Sequence, residues 1–465
     1  MRVLDPRTAG AGDRPADVEA RDVLDRLAVR LAVLRRLRGP AVTGFASRVR
    51  EIVLIASSSR GGSSMLAETL RGSPSLLHLS AEMNPFLRLV GLAFPGRGCD
   101  SDRLDAGHLY ALHPVLRQVL DEELALDAGC QADTVDDEQF LLDAAWRFAV
   151  QWPGLDVDVA GWLATAGEVL GELRRECGWG PGELPDVAPF QVALLRRLVA
   201  DGFPVDPAYY DLPGDPPGGP PPGEGAGRRT PGAPGEVLVE EPPFVLPRVW
   251  RRADERDLRT KALVIKTPSN AYRLAFLRAL FPNARVRVLH LTRNPAASIN
   301  GLYDGWRHTG FHAHRMREPL RIAGYAEDCP GDRWWWKFDL PPGWQDFTDA
   351  PLLEVCAFQW RSPHQAVLDD VERGDVDYLR VRFEDVIRGP DSWVACFQRL
   401  GEWLGIPFDG AFRRTACQGV EPVAATAPSR PRWWQARGEA IRRAIDPQVR
   451  AVAERLGYGA EDDWI

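Results

Sequence analysis

Short apolar, β-branched runs alternate along this chain with segments of helical spacing. The run EIVLIA at 51–56 has the make-up of a buried parallel strand. A Ser/Gly loop follows, then helical spacing over 65–70, stopped by Gly72 and Pro74. LLHL at 76–79 reads as a second short strand. The same alternation resumes with KALVIK at 261–266, a helix over 271–280 and the strand RVRVLHL at 285–291. Asn294 and Pro295 then supply an N-cap and a first helical residue. A helix over 352–371, a strand at 378–381, a helix over 393–404 and a C-terminal helix over 437–456 complete the pattern. Strands alternating with helices predict an α/β fold, a central parallel sheet flanked by helices with right-handed crossovers.

The remaining stretches interrupt that pattern. Over 17–38 the apolar residues Val23, Leu24, Leu27, Val29, Leu31, Leu34 and Leu37 recur at helical spacing until Gly39-Pro40. Acids break up its basic face, which favours a packing helix over one lying on a membrane. Residues 102–202 read as a helical insertion, with helices over 109–126, 139–150, 157–175 and 190–199. Eight Pro and eight Gly among the 25 residues 211–235 cannot bury a core, so 207–236 is expected to be a flexible loop. The expected organisation is an N-terminal helical segment, 1–45, and one α/β domain, 46–460, that includes the 102–202 insertion and the 207–236 loop.

Composition narrows the functions. Apolar residues at 45% and charged residues at 26% are ordinary for a globular protein. A net charge of −8 argues against coating nucleic acid, which needs a dominant basic field, but leaves room for one local anion pocket. The bases are almost all arginine; Lys261, Lys266 and Lys337 are the only lysines, and with the abundant Ala, Gly and Pro this suggests a GC-rich bacterial source. Seven scattered cysteines, an odd number with no CxxC, argue against a disulfide framework and a zinc site. The nearest thing to a metal pattern, His308, His312 and His314, reads as a loop without neighbouring carboxylates, so no metal is expected. No apolar leader region and no run of about 18 apolar residues is evident, so a cytoplasmic protein without a transmembrane segment is expected.

The loop after the first strand, IASSSRGGSSML, has the physics of an anion cradle. Gly61 and Gly62 let the backbone close around an oxyanion, Ser59, Ser63 and Ser64 offer hydroxyls, and Arg60 offers a charged fork. The next helix points its amide-rich end at the same place. A nucleotide-hydrolase P-loop would read GxxxxGK[ST]; no Lys stands here, which weakens an ATPase reading. A second strand-to-helix junction, RVRVLHLTRNPAASINGL, sets Arg293 at a strand end, the edge along which open α/β sheets bind ligands. A guanidinium there can grip a phosphate with two parallel hydrogen bonds.

The first segment resembles the 5′-phosphosulfate loop of the sulfotransferases that use 3′-phosphoadenosine 5′-phosphosulfate (PAPS). Arg60-Gly61-Gly62-Ser63-Ser64 fits that family's pattern of a basic residue, a small residue, Gly and two hydroxyl residues. Met65 stands where several members carry a Trp. The second segment resembles the family's 3′-phosphate motif, which would give Arg293 that role. Gly301 stands where the family usually has a Ser, leaving Ser298, one turn earlier on the same helical face, as the substitute. A donor with an anion at each end needs two such sites.

Sulfuryl transfer to a hydroxyl needs a base, in-line geometry and positive charge at the leaving oxygen. Glu82, in HLSAEMNPF and 22 residues after Arg60, is the candidate base; its spacing and its Ala-Glu context resemble the heparan sulfate sulfotransferases. Apolar Met83, Pro85 and Phe86 beside it would favour a general base. Lys266 in Lys266-Thr267-Pro268 resembles the same group's lysine at the leaving oxygen, and Pro268 excludes the histidine base of the phenol and steroid enzymes. VRFEDV resembles a late family segment, with Glu384 and Asp385 expected to cap or to pair with arginines. Arg430 and Arg432 are candidates for a basic loop over the 3′-phosphate. Trp334, Trp335 and Trp336 with Trp344 suit either an acceptor-stacking platform or a core.

Taken together, the resemblance implies a P-loop NTPase-like sulfotransferase fold and transfer from PAPS, as co-substrate, to a hydroxyl of a small-molecule, carbohydrate or lipid acceptor. Arg60, Gly61, Gly62, Ser63, Ser64, Arg293 and Ser298 would bind the donor; Arg60, Lys266 and Glu82 would act in the transfer. The alternatives are a P-loop nucleotide or sugar kinase, which would need Mg²⁺ and an acidic ligand for it, and a catalytically degenerate nucleotide-binding protein.

Overall fold

The computed structural model describes residues 15–96, 98–184, 186–206, 235–241, 246–308, 310–327, 329–374, 376–418 and 433–459. Arg430, Arg432 and most of the Pro/Gly-rich loop lie outside them. Nine strands are present among the described residues: β1 Glu51–Ala56, β2 Leu76–Leu79, β3 Ala128–Gln131, β4 Trp250–Arg252, β5 Ala262–Lys266, β6 Arg285–Thr292, β7 His312–Arg315, β8 Trp335–Lys337 and β9 Asp377–Arg382. Seven form one sheet in the order β4-β3-β2-β5-β1-β6-β9, and β7 pairs with β8 in a separate hairpin.

The middle of the sheet is parallel, as the apolar runs predict. β1 pairs in register with β5 on one side and β6 on the other, Ile55 opposite both Lys266 and Leu289. Alternate β1 residues face opposite layers, as strand geometry requires. Val53 and Ile55 pack with Leu66 and Leu70 of helix Ser63–Arg71, while Ile52 and Leu54 pack with Leu274 and Leu277 of helix Leu274–Leu280. Burial on both faces explains why the strand reads as a continuous apolar run rather than an alternating one.

Other elements differ from the sequence reading. Residues 102–202 are not purely helical: β3 lies within them and pairs antiparallel with β2 and with β4, so the sheet is mixed. AGCQ is short and has no apolar alternation, and it is a strand because the edge of β2 is there to pair with. The helix expected over 109–126 is broken before Pro114, giving Ala106–Ala111 and Pro114–Asp127. The C-terminal helix breaks likewise before Pro447, with Asp446 capping the second piece. The N-terminal helix Pro15–Leu37 buries Leu27, Leu31 and Leu34 in the same core that holds Trp146 and Leu124 of the 102–202 region. Arg38 follows it, buried against Glu123 and Asp143.

The sheet order fixes where a ligand can sit. From β1 the chain turns toward the β5 side to reach β2, and from β6 it leaves in the opposite direction to reach β9. The loops leaving β1 and β6 therefore diverge and open a crevice at the C-terminal edge of the parallel strands.

Candidate active site

Read across that edge, the parallel strands end in Glu82 (after β2), Lys266 (the last residue of β5), the Ser57–Gly62 loop (after β1), Arg293 (after β6) and Phe383 (after β9). Arg60 and Arg293, 233 residues apart in the chain, are thus adjacent for one reason, the order of five strands.

The loop after β1 is tightly packed. Ser57, Ser58 and Ser59 are buried, and the Ser58 hydroxyl has no hydrogen-bond partner among the described residues. Arg60 takes a left-handed backbone, φ 61°. A Cβ on Gly61 would stand 2.8 Å from the Ser58 carbonyl oxygen. One on Gly62, at φ 95°, would run into the Phe383 ring at 2.4 Å. Both glycines are therefore demanded by the shape of the loop. Gly62 is also the cap residue of helix Ser63–Arg71 and brings no side chain of its own to the helix end.

Arg293 is fixed from three sides. Its Nη1 donates to the Arg60 carbonyl at 3.2 Å, its guanidinium lies 4.7 Å from the centre of the Phe383 ring, and its own carbonyl accepts from Trp360 Nε1 at 3.0 Å. The next residue, Asn294, donates its backbone N–H to Glu384 at 2.6 Å and caps helix Pro295–Arg307 by accepting from Ala296 and Ala297. Glu384 also accepts from Tyr458 at 3.1 Å, and Asp385 pairs with Arg388, which is the capping and pairing expected of the two acids. Burial, and then the repulsion of Arg293, pushes Arg60 below the usual guanidinium range. Burial does the same to Arg293, against the pull of Glu384. On helix Pro295–Arg307, Gly301 faces Arg60, with room for a Cβ at 3.6 Å. Ser298, a turn earlier, is fully buried, and its hydroxyl has no partner among the described residues.

Lys266 and Glu82 meet. Their side chains form an ion pair, the lysine 15% and the glutamate 34% exposed. The loops that carry them are tied by Thr267, whose hydroxyl accepts from the Met83 N–H at 2.9 Å and donates to the Lys266 carbonyl at 2.7 Å. On the far side of the Glu82 loop, Arg248 and Arg71 donate to the carbonyls of Ser80 and Leu79 at 2.9 and 2.8 Å.

Sequence reasoning missed the β7–β8 hairpin and what it brings. The Arg60 guanidinium lies 5.0 Å from the centre of the Phe311 ring, and Phe311 packs against Phe338 with ring centres 4.9 Å apart and planes tilted by 30°. Asp339 accepts from Ser59 at 2.8 Å and from Tyr272 at 2.9 Å. On the hairpin's other side, Arg88 donates to the Ala313 carbonyl at 2.8 Å. The only sequence signal for these residues was the aromatic density of 334–347. The histidines read as a carboxylate-free loop prove otherwise. His312 contacts Glu241 and Asp332 at 3.3 and 3.0 Å, and His314 lies 3.5 Å from Asp102. Burial opposes the charge on His312, but the hydrogen bonds to Asp332 and Glu241 hold its pKa above the ordinary value. Trp335 and Trp336 are core: they are 1% and 0% exposed, and Trp336 packs edge-on against Trp306. No group of three His, Cys, Asp or Glu among the described residues is placed to hold a metal ion, and no helix among them is long and apolar enough to cross a membrane.

No protein-family model matches the chain, and no curated protein matches it. Comparison with solved structures finds a likeness to the sulfotransferase domain from the curacin biosynthetic pathway, 11% identical with a TM-score of 0.35, covering 89% of this chain and 99% of that one. The sulfotransferase domain of the Synechococcus PCC 7002 olefin synthase is 15% identical with a TM-score of 0.34, over 89% of this chain and 96% of that one. Sulfotransferase STF9 from Mycobacterium avium is 12% identical with a TM-score of 0.35, over 97% and 88%.

Proposed function

We propose that this protein is a PAPS-dependent sulfotransferase acting on a hydroxyl of a small-molecule, carbohydrate or lipid acceptor. The observation that carries the reading is the crevice at one sheet edge in which Arg60 and Arg293 lie together beside the Lys266–Glu82 pair. Two half-buried guanidiniums, both held below their usual range by burial and one also by the charge of the other, favour an anion beside them. The buried Ser58 and Ser298 hydroxyls offer further donors.

In this reading Arg60, Gly61, Gly62, Ser63 and Ser64 bind the 5′-phosphosulfate, and Arg293 with Ser298 binds the 3′-phosphate. Glu82 takes the proton of the acceptor hydroxyl as its oxygen bonds to sulfur. The bond from sulfur to the bridging phosphate oxygen breaks, and Lys266 meets the charge that develops on that oxygen. A compact ammonium suits a single oxygen better than a planar fork does. Adenosine 3′,5′-bisphosphate leaves. Catalysis by positioning and charge is what this group transfer requires.

Calorimetric titration tests the donor class. Adenosine 3′,5′-bisphosphate should bind at least tenfold more tightly than ATP, with or without Mg²⁺. Tighter ATP binding that depends on Mg²⁺ would favour a kinase. Binding of the bisphosphate, with no transfer of radiolabelled sulfate from PAPS to any hydroxyl in a broad acceptor panel, would favour a non-catalytic binding protein.

A further inference from the structure

Four non-glycine residues among those described have a positive φ, and three of them meet at one place: Arg60 at 61°, Phe311 at 67° and Phe338 at 65°. A left-handed backbone on a bulky residue costs on the order of 1–2 kcal/mol and persists only where its surroundings hold it. The Phe338 N–H donates to the Phe311 carbonyl at 3.2 Å. The carbonyl of the next residue, Asp339, accepts from Gln359 at 2.8 Å and from Trp336 at 2.9 Å. Backbone and rings are thereby locked, and the Asp339 side chain, 3% exposed, is delivered between two loops of the site. One carboxylate oxygen takes the hydroxyl of Ser59, next to Arg60, and the other takes the hydroxyl of Tyr272, in the turn after Lys266.

We propose that Asp339 is a positioning residue for the anion loop: through Ser59 it holds the strained Arg60–Gly62 backbone in the shape that receives the donor. The proposal rests on reading that loop as the PAPS site. Its physics is the charge on the acceptor. Each carboxylate oxygen accepts one hydroxyl, so a proton on either one removes the charge that strengthens both hydrogen bonds. Asn replaces one acceptor oxygen with an NH₂ and carries no charge, and so stands in for the protonated acid.

The surroundings of Asp339 put that proton within reach. Burial, with the charge of Asp102 adding to it, pushes Asp339 up to about 6, against the hydrogen bonds from Ser59 and Tyr272. Tyr272 is itself held well above its ordinary value by burial and by Asp339, so it stays a donor. Asp102 is engaged by Arg273 at 2.9 Å and His314 at 3.5 Å, and by Ser269 and the Leu340 N–H. Lys337, two residues before Asp339, is spent on Asp332 at 3.0 Å. No cation in these contacts reaches Asp339, so its charge rests on the two hydroxyls.

The test is calorimetric titration of full-length wild type, Asp339→Asn and Ser59→Ala with adenosine 3′,5′-bisphosphate between pH 5 and 8. At pH 7.5 both variants should bind about tenfold more weakly than wild type, the loss of one charge-assisted hydrogen bond. At pH 5 the ratio should shrink to about twofold, because the wild-type carboxyl is then protonated. Taking the ratio cancels the ligand's own titration. A ratio unchanged with pH in Ser59→Ala, or wild-type affinity in that variant, overturns the proposal even if Asp339→Asn does not fold. Wild type that fails to bind the bisphosphate at any pH overturns the reading of the site instead.

Discussion

Arg293 Nη1 donates to the backbone carbonyl of Arg60 at 3.2 Å, so the second anion loop holds the shape of the first. The two side chains also repel. Arg60→Ala and Arg293→Ala should each lower affinity for adenosine 3′,5′-bisphosphate by about a hundredfold, in line with the removal of a charge-assisted contact. The double variant should lose less than the product of the two, since removing one cation relieves the other. A double-mutant cycle read by calorimetry checks this; strict additivity would show that the two charges do not act on each other in the site.

Lys266 and Glu82 form one ion pair but are assigned opposite halves of the transfer. Lys266→Ala should abolish turnover with donor affinity within about threefold of wild type. Glu82→Gln should cut turnover by about 10²–10⁴-fold with an unchanged circular dichroism spectrum. Single-turnover sulfate transfer separates the two effects. A normal rate in Glu82→Gln would move the role of base to another residue.

Gly62 combines a left-handed backbone with a Phe383 ring where its Cβ would be. Gly62→Ala should destabilise the protein by about 1–3 kcal/mol and weaken donor binding. Adding Phe383→Leu should recover part of the stability, because the steric part is relieved and the φ part is not. Urea denaturation of the two variants is the measurement.

A Cβ on Gly301, in the middle of a helix, would meet the Arg60 Cβ at 3.6 Å, an ordinary van der Waals contact. Gly301→Ser should stabilise the protein by about 0.3–0.5 kcal/mol through helix propensity alone. It should also tighten bisphosphate binding several-fold, by adding a hydroxyl beside Arg60. Destabilisation would mean that the helix face is more crowded than this geometry allows.

Glu240 is buried with Arg147 at 2.7 Å and Gln151 at 3.2 Å. Burial pushes it up to about 7, against the pull of Arg147. The folded state then binds more protons than the unfolded state between the ordinary glutamate range and about 7, so this group's contribution to stability falls as pH rises through that window. The fall is about 3 kcal/mol. Glu240→Gln keeps both partners and removes the titration, so its stability relative to wild type should rise between pH 5 and 8. Urea midpoints across that range check the sign.

The parallel strands and both anion loops were legible because their signals are local. EIVLIA, KALVIK and RVRVLHL are buried on two faces, and Gly61, Gly62 and Asn294-Pro295 encode backbone geometry within a few residues. β3 was not legible, since AGCQ becomes a strand only beside an existing edge. Asp339, Phe311 and Thr267 were not legible either. Their roles depend on partners that lie, by chain number, at least 180 residues away, at Ser59, Arg60 and Met83.

The sequence by itself determined which segments are stiff, apolar strands, and where a loop can close around an anion, because both follow from side-chain shape and backbone freedom at neighbouring positions. Only the tertiary structure decided that Glu82, Lys266, Arg60 and Arg293 stand along one crevice, with a buried hairpin behind them. That adjacency comes from strand order, and strand order is settled by how whole apolar faces pack.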